Sequence, residues 1–213
     1  MKIFSMILLA LVSLSVIHAA ELLIGSFSTG DLTGWQEQSF RGKEHTSYRL
    51  VTVDGKTAVE AHSRRAASGL LKKVDLDPKK YPVLRWSWKV GHTLQREDVT
   101  KKTGDDFAAR VYVVFPNVLF WRTRAINYVW SSNLPVNGAF PDPYTANSYL
   151  LVVESGQDKS GGWISEERNI HADFRRIFGE EPPRIGAVAI MTDTDDTQDE
   201  VTAWYGDITI SEK

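Results

Sequence analysis

The sequence predicts a mainly β protein: a two-sheet antiparallel β-sandwich with one short helix. The first observation is a hairpin signal, Asp54-Gly55, between alternating runs at 48–53 and 57–62. Asp and Gly tolerate the positive φ angles of a type I′ turn. The second is a series of further extended runs, which bring the expected strands to about nine. They are 69–76, 83–90, 107–115, 125–131, 149–154, 184–191 and 201–210.

The third observation is a single segment with helical periodicity near residues 170–178. Asn169 can cap its first turn, and Gly179 followed by two prolines can end it. The apolar residues recur at helical spacing, at Ile170, Phe174, Ile177 and Phe178. One helix among many strands and frequent turn signals favours a sandwich.

Strand alternation assigns side chains to faces. One face of strand 83–90 carries Leu84, Trp86, Trp88 and Val90, which we expect in the core. In strand 107–115, the expected core face carries Phe107, Ala109, Val111, Val113 and Phe115. The opposite face then carries Asp106, Arg110 and Tyr112 together.

The N-terminus has the pattern of a secretory signal peptide. Lys2 is followed by an uncharged apolar stretch that ends in small residues, which predicts cleavage after Ala19 or Ala20. We expect residues 1–19 to be removed and 20–213 to form a single domain, periplasmic or extracellular, with no integral membrane segment after processing.

Composition excludes several classes of function. There are no cysteines, so disulfides, thiol catalysis and cysteine-metal sites are excluded. The formal net charge of −2 argues against nucleic acid as a partner. Phosphate-cradling glycine loops, nucleophile elbows and His-Glu-x-x-His are not found in the sequence. The sequence does not predict an oligomeric state.

Two clusters of acidic residues are candidates for chemistry. Asp106 and Arg110 predict either a structural ion pair or a polar ligand site with Asp105, in which Tyr112 or Trp130 stacks nearby. The turn at 193–200 carries Asp193, Asp195 and Asp196. Such carboxylates can bind Ca²⁺ or form a solvated hairpin tip.

Further candidates lie elsewhere in the chain. Glu167 and Arg168 stand near Trp163, and paired acids near aromatic residues suit glycoside cleavage. Asn127 lies on the predicted strand that also carries Trp130. The segment 132–148, with Phe140 and Tyr144, is expected to form an ordered loop over one end or face, where loops often line binding sites.

Several motifs together resemble the bacterial secreted family called domain of unknown function 3047. They lie at residues 27–35, 84–90, 104–110, 127–131, 167–169, 191–197 and 203–207. The family pattern leads us to expect Asn at position 196, where this chain has Asp196. The resemblance implies export and an all-β fold, and it carries no catalytic residue.

A more distant resemblance is to jelly-roll, galactose-binding-like carbohydrate-binding modules. The opening segment 27–35 and the closing segment around Asp207 are similar to theirs. This resemblance implies that a structural Ca²⁺ can lie between the two segments, which makes Asp207 a further metal candidate.

Three functions remain open at this stage. The first is a non-catalytic envelope protein that binds a glycan or another polar small ligand. The alternative is a polysaccharide-active hydrolase or lyase that uses acids from the pairs Asp105/Asp106, Glu166/Glu167 or Asp193/Asp195. The third is a structural partner domain in an envelope complex.

Overall fold

The computed structural model of the protein describes residues 20–212. Within these residues the fold has thirteen strands and one α-helix, α1 (Ile170–Phe178). The strands are β1 (Glu21–Gly25), β2 (Trp35–Ser39), β3 (Ser47–Val53), β4 (Lys56–Arg64), β5 (Ala67–Leu76), β6 (Val83–Val90), β7 (Ala109–Phe115), β8 (Arg124–Ser131), β9 (Ala139–Asp142), β10 (Thr145–Ser155), β11 (Ile164–Asn169), β12 (Ile185–Asp193) and β13 (Glu200–Ser211). The predicted signal peptide, 1–19, lies outside the described residues, and the assignment of 20–213 to a single domain stays a prediction.

The strands form two sheets, as the sequence predicts. The six-stranded sheet has the order β11-β6-β13-β4-β3, and β1 pairs with β13 as well. The seven-stranded sheet has the order β2-β5-β12-β7-β8-β10-β9. Neighbouring strands are antiparallel except β8 and β10, which are parallel. A parallel pair needs a long return connection, and the chain between β8 and β10, which contains β9, provides it.

The core lies between the two sheets and follows the predicted alternation. Trp86 of β6 packs against Tyr128 of β8 with ring centroids 5.4 Å apart. Trp88 packs against Trp130 at 5.9 Å. Aromatic pairs at this spacing stabilise a core beyond the area that they bury. The outward positions of β6, including Arg85, carry polar side chains, because successive side chains of a strand point to opposite faces.

Phe107 is buried, as predicted, but it does not share the face of Ala109 to Phe115 that the alternation assigns to it. Strand β7 begins at Ala109, so the alternation does not extend back to Phe107. Its ring instead packs in a second, smaller cluster with Val129, Leu150 and Val152, and the Arg110 guanidinium lies over it at 4.5 Å. Phe107 therefore supports the outer face of the seven-stranded sheet.

The predicted hairpin and helix are confirmed, and so are the turn residues and helix caps that were expected to form them. Asp54 and Gly55 have φ angles of 52° and 75°, as a type I′ turn requires. The Asn169 side chain accepts a hydrogen bond from the Ala172 amide at 2.8 Å, and Gly179 ends α1 in the left-handed region. Phe174 is buried and joins the helix to the core.

Residues 20–212 contain no helix with the length and apolarity to cross a bilayer.

Candidate functional site

The outer face of the seven-stranded sheet carries a cleft of about 410 Å³. Its floor consists of alternate residues of three adjacent strands. Strand β12 supplies Ala189 and Met191, and Met191 is paired in register with Arg110 of β7 and Gly69 of β5. Leu71 and Val114 complete an aliphatic floor. We call this concavity the outer cleft.

Loops at the ends of the strands form the walls of the outer cleft. Phe40 and Lys43 come from the β2–β3 connection, and Tyr144 comes from the β9–β10 turn. Asp195 and Asp196 come from the β12–β13 connection. The predicted loop 132–148 does line the cleft, although part of it is strand β9 and the start of β10.

Arg110 is the central polar group of the outer cleft and is only 1% exposed. Its Nε donates to Asp193 Oδ1 at 2.8 Å, and its Nη2 donates to Asp193 Oδ2. Asp105 adds its backbone carbonyl and a weak carboxylate contact at 3.5 Å. Nη1 also lies 3.4 Å from the Tyr112 hydroxyl. The bidentate pair fixes the guanidinium plane.

The partner of Arg110 is thus Asp193, and the predicted pair with Asp106 is wrong. Asp106 precedes β7, so it does not share the alternating face of Arg110. It is fully buried, and its Oδ2 accepts a hydrogen bond from the Thr197 amide. Its Oδ1 has no partner among the described residues.

Three carboxylates meet beside the outer cleft. Asp106, Asp195 and Asp196 place oxygens within 4.8 Å of one another, a grouping that could hold a metal ion. Asp193 does not belong to it, because its carboxylate is bound to Arg110. The Lys43 ammonium is paired with Asp195 and lies 3.4 Å from Asp196.

Burial sets the protonation of the acids under the cleft. Desolvation raises the pKa of Asp105 to about 6, although the nearby Arg110 lowers it. Desolvation also raises the pKa of Asp106 and of Asp193. A carboxyl with a pKa near neutrality can exchange a proton at physiological pH.

A family model described as a protein of unknown function, DUF3047, matches residues 33–209. The chain belongs to this family. The resemblance that the sequence motifs carry is therefore confirmed over most of the chain. No curated protein matches the DUF3047 chain.

Solved structures place the fold of the DUF3047 chain among jelly-roll modules. It is similar to the family 30 carbohydrate-binding module of the cellulosomal cellulase Cel9D-Cel44B of Clostridium thermocellum, with a TM-score of 0.50 and 10% identity over 91% of this chain and 98% of that one. A family 29 carbohydrate-binding module matches with a TM-score of 0.43 and 10% identity, covering 92% and 87%. The xylan-binding module CBM15 matches with a TM-score of 0.38 and 10% identity, covering 92% and 97%.

Two other predicted site residues of the DUF3047 chain lie on β8. Asn127 is paired in register with Tyr112 and is fully buried. Neither polar atom of its amide has a partner within residues 20–212. Trp130 faces the opposite way, into the core, and its Nε1 donates to the Gly156 carbonyl. Because Trp130 is buried between the sheets, it cannot stack on a ligand in the outer cleft.

The remaining candidates lie elsewhere. Glu167 is on β11 of the six-stranded sheet and pairs with Arg85 at 2.7 Å. Arg168 makes a bidentate pair with Asp173, which ties β11 to α1. Asp207 accepts hydrogen bonds from the amide and hydroxyl of Ser28. Asp207 therefore joins the closing strand to the opening segment, apart from the acidic cluster of the outer cleft.

Sequence reasoning missed Phe40, Lys43 and Asp142 as lining residues. Phe40 and Lys43 belong to the β2–β3 connection, and Asp142 is the last residue of strand β9, neither of which the strand pattern predicts. Phe40 did carry one local signal, since a large aromatic residue in a polar stretch has no strand face to occupy. Its 43% exposure agrees with that signal.

Proposed function

We propose that the protein is an exported, non-catalytic binding protein of the cell envelope, which holds a glycan or another polar small ligand in the outer cleft. The single observation that carries this proposal is the chemistry of the cleft. A largely apolar floor lies beside a few convergent polar groups, among them Arg110 and Asp105. Small-molecule sites are generally built in this way. The predicted signal peptide supports the exported location.

Two exposed aromatic rings suit a saccharide. Phe40 is 43% exposed and Tyr144 is 50% exposed, and both line the outer cleft. Exposed aromatic rings can pack against the apolar faces of sugars, while hydroxyl groups of the sugar meet polar side chains. The similarity in fold to the carbohydrate-binding module of the Clostridium cellulase adds support, as an analogy at the level of fold.

Calorimetric titration with a panel of oligosaccharides tests this proposal. We expect saturable binding to the wild-type protein and affinity reduced on the order of tenfold in Phe40→Ala, because one stacking contact is lost. Phe120→Ala is the matched control, since Phe120 is also exposed but lies in the β7–β8 connection and does not line the cleft. Equal affinity in the two variants would contradict the assignment of the site.

A second candidate function rests on one observation. Asp105 has a pKa of about 6 and shares the outer cleft with Asp142 and Asp195. Glycosidases use one carboxylic acid with a raised pKa beside an ionised carboxylate. Release of reducing ends from a polysaccharide panel, abolished by Asp105→Asn, would establish a hydrolase. Binding without turnover leaves the binding protein as the function.

A further inference from the structure

One end of the outer cleft already holds an ammonium group. Lys43 reaches from the β2–β3 connection, and its Nζ pairs with Asp195 and contacts Asp196 at 3.4 Å. The Tyr144 hydroxyl donates to the other oxygen of Asp196. The Lys43 side chain is 37% exposed, so it can leave these acids for solvent without disturbing the core. The pair of acids therefore binds a primary amine that belongs to a partly exposed side chain.

The charge of the cleft favours a cationic ligand. Its lining contains five carboxylates, from Asp105, Asp142, Asp193, Asp195 and Asp196, and two basic groups, from Lys43 and Arg110. Arg110 is already bound to Asp193, so it offers little to an anion. A ligand with a carboxylate, sulfate or phosphate would meet uncompensated negative charge.

Two buried oxygen atoms in the same region point independently to a ligand. One is Oδ1 of Asp106, which has no partner in the described residues and belongs to the acid group with Asp195 and Asp196; the other is the hydroxyl of Ser148. Ser148 lines the cleft and is 6% exposed, yet its hydroxyl has no hydrogen-bond partner in the part of the chain that the structure describes. A buried polar group without a partner is costly. A hydroxyl or ammonium group of a ligand can supply the missing hydrogen bond.

Resting on the function proposed above, we propose that the ligand of the outer cleft is an amine-bearing saccharide. Its ammonium group replaces that of Lys43 on Asp195 and Asp196. The sugar rings then lie along the aliphatic floor, between the exposed rings of Phe40 and Tyr144. Lys43 acts as an internal competitor that keeps the two acids paired in the free protein.

Calorimetric titration at mildly acidic pH with a hexamer of glucosamine tests this proposal, and the N-acetylated hexamer is the neutral comparison. We expect the amine form to bind at least tenfold more tightly. Lys43→Gln should raise the preference for the amine form over the N-acetylated form a further severalfold, because the competitor is removed. Lys79→Gln is the matched control, since Lys79 pairs with Glu181 and does not line the cleft.

The outcomes separate this inference from the function on which it rests. Equal or tighter binding of the N-acetylated hexamer would overturn the amine requirement and leave glycan binding standing. Binding of spermidine as tight as that of the glucosamine hexamer would overturn the saccharide class, because an aliphatic amine would then suffice. Absence of binding by every saccharide in the panel and by spermidine would refute the proposed function as well.

Discussion

The outer faces of the two sheets each carry an ion pair between an arginine and an acid, but the two pairs are buried to different extents. On the six-stranded sheet, Arg85 pairs with Glu167 while 43% and 63% of their side chains are exposed. On the seven-stranded sheet, Arg110 and Asp193 pair at 2% and 4% exposure. An exposed pair contributes little to stability, whereas breaking a buried pair leaves an uncompensated charge. The difference lies in the loops that cover the seven-stranded sheet.

The largest effect is expected from removing each arginine in turn. Arg110→Met should lower the free energy of unfolding by about 3–5 kcal/mol, because Asp193 remains buried without its partner. Arg85→Met should lower it by less than about 1 kcal/mol. Urea unfolding of both variants measures the gap. If Arg110→Met does not fold, Arg110→Met with Asp193→Leu should recover folding, and losses of similar size in the two single variants would contradict the comparison.

A pH titration should show the cost of burying Asp105. Its pKa is raised from 3.8 to about 6 by desolvation, against the attraction of Arg110, while Asp142, Asp106 and Asp196 raise it further. Because the folded pKa exceeds the unfolded one, the contribution of Asp105 is fully present below about pH 4 and is lost as the pH rises to about 6. The loss is roughly 3 kcal/mol at most.

Asp105→Asn should therefore lose less stability than the wild type between about pH 4 and pH 6. Chemical unfolding of both proteins across this range measures the difference. Glu166→Gln is the control on the six-stranded sheet, where burial raises the pKa of Glu166 to about 7 and the corresponding loss extends to higher pH. Identical pH profiles for Asp105→Asn and the wild type would show that Asp105 is not desolvated.

Asp106 and Asp196 allow a buried acid and a rim acid of the same cleft to be compared. Asp106→Ala removes the buried acceptor of the Thr197 amide and should cost about 1–3 kcal/mol. Asp196→Ala removes the contacts to Lys43 and the Tyr144 hydroxyl at the rim and should cost less than about 1 kcal/mol. Thermal unfolding compares the two. Equal melting temperatures would show that the hydrogen bond to Thr197 does not stabilise the fold.

The smallest expected effect is that of calcium on the wild-type protein. Asp106, Asp195 and Asp196 could hold a metal ion, but the Lys43 ammonium is already paired with two of them. We expect added Ca²⁺ to leave the melting temperature of the wild type unchanged and to raise that of Lys43→Gln, by mass action. A chelator-sensitive rise in the wild type would identify a metal site in place of an amine site.

Local patterns predicted most of the fold, because they depend on neighbouring residues. The β3–β4 hairpin, strand β6 and helix α1 follow from turn chemistry, alternation and capping. Strands β1, β2, β9 and β11 were not predicted. Strand β2 shows the reason: it is short and four of its five residues are exposed, so it has no apolar face to reveal it. The parallel pairing of β8 with β10 was not predicted either, because the connection between them has no strong strand or turn pattern in its sequence.

The candidate site was predicted in part for a related reason. Arg110 and Tyr112 follow from alternation within one strand, and Asp105 lies beside them in sequence. The partner of Arg110 cannot be predicted from alternation, because Asp193 is 83 positions away in the chain. The pairing of Lys43 with Asp195 spans 152 positions. Such contacts are set by the order of the strands in the sheet, which alternation alone does not determine.

Mapping of backbone amide shifts by NMR tests the central claim most directly, with the tightest-binding saccharide of the panel as the ligand. If the outer cleft is the binding site, the largest shifts should fall on the strands of its floor, at Gly69, Tyr112 and Met191. Amides of the six-stranded sheet, such as those of Arg85 and Glu167, should stay unchanged. Shifts concentrated on the six-stranded sheet would contradict the account, as would saturable binding that leaves the outer cleft unperturbed.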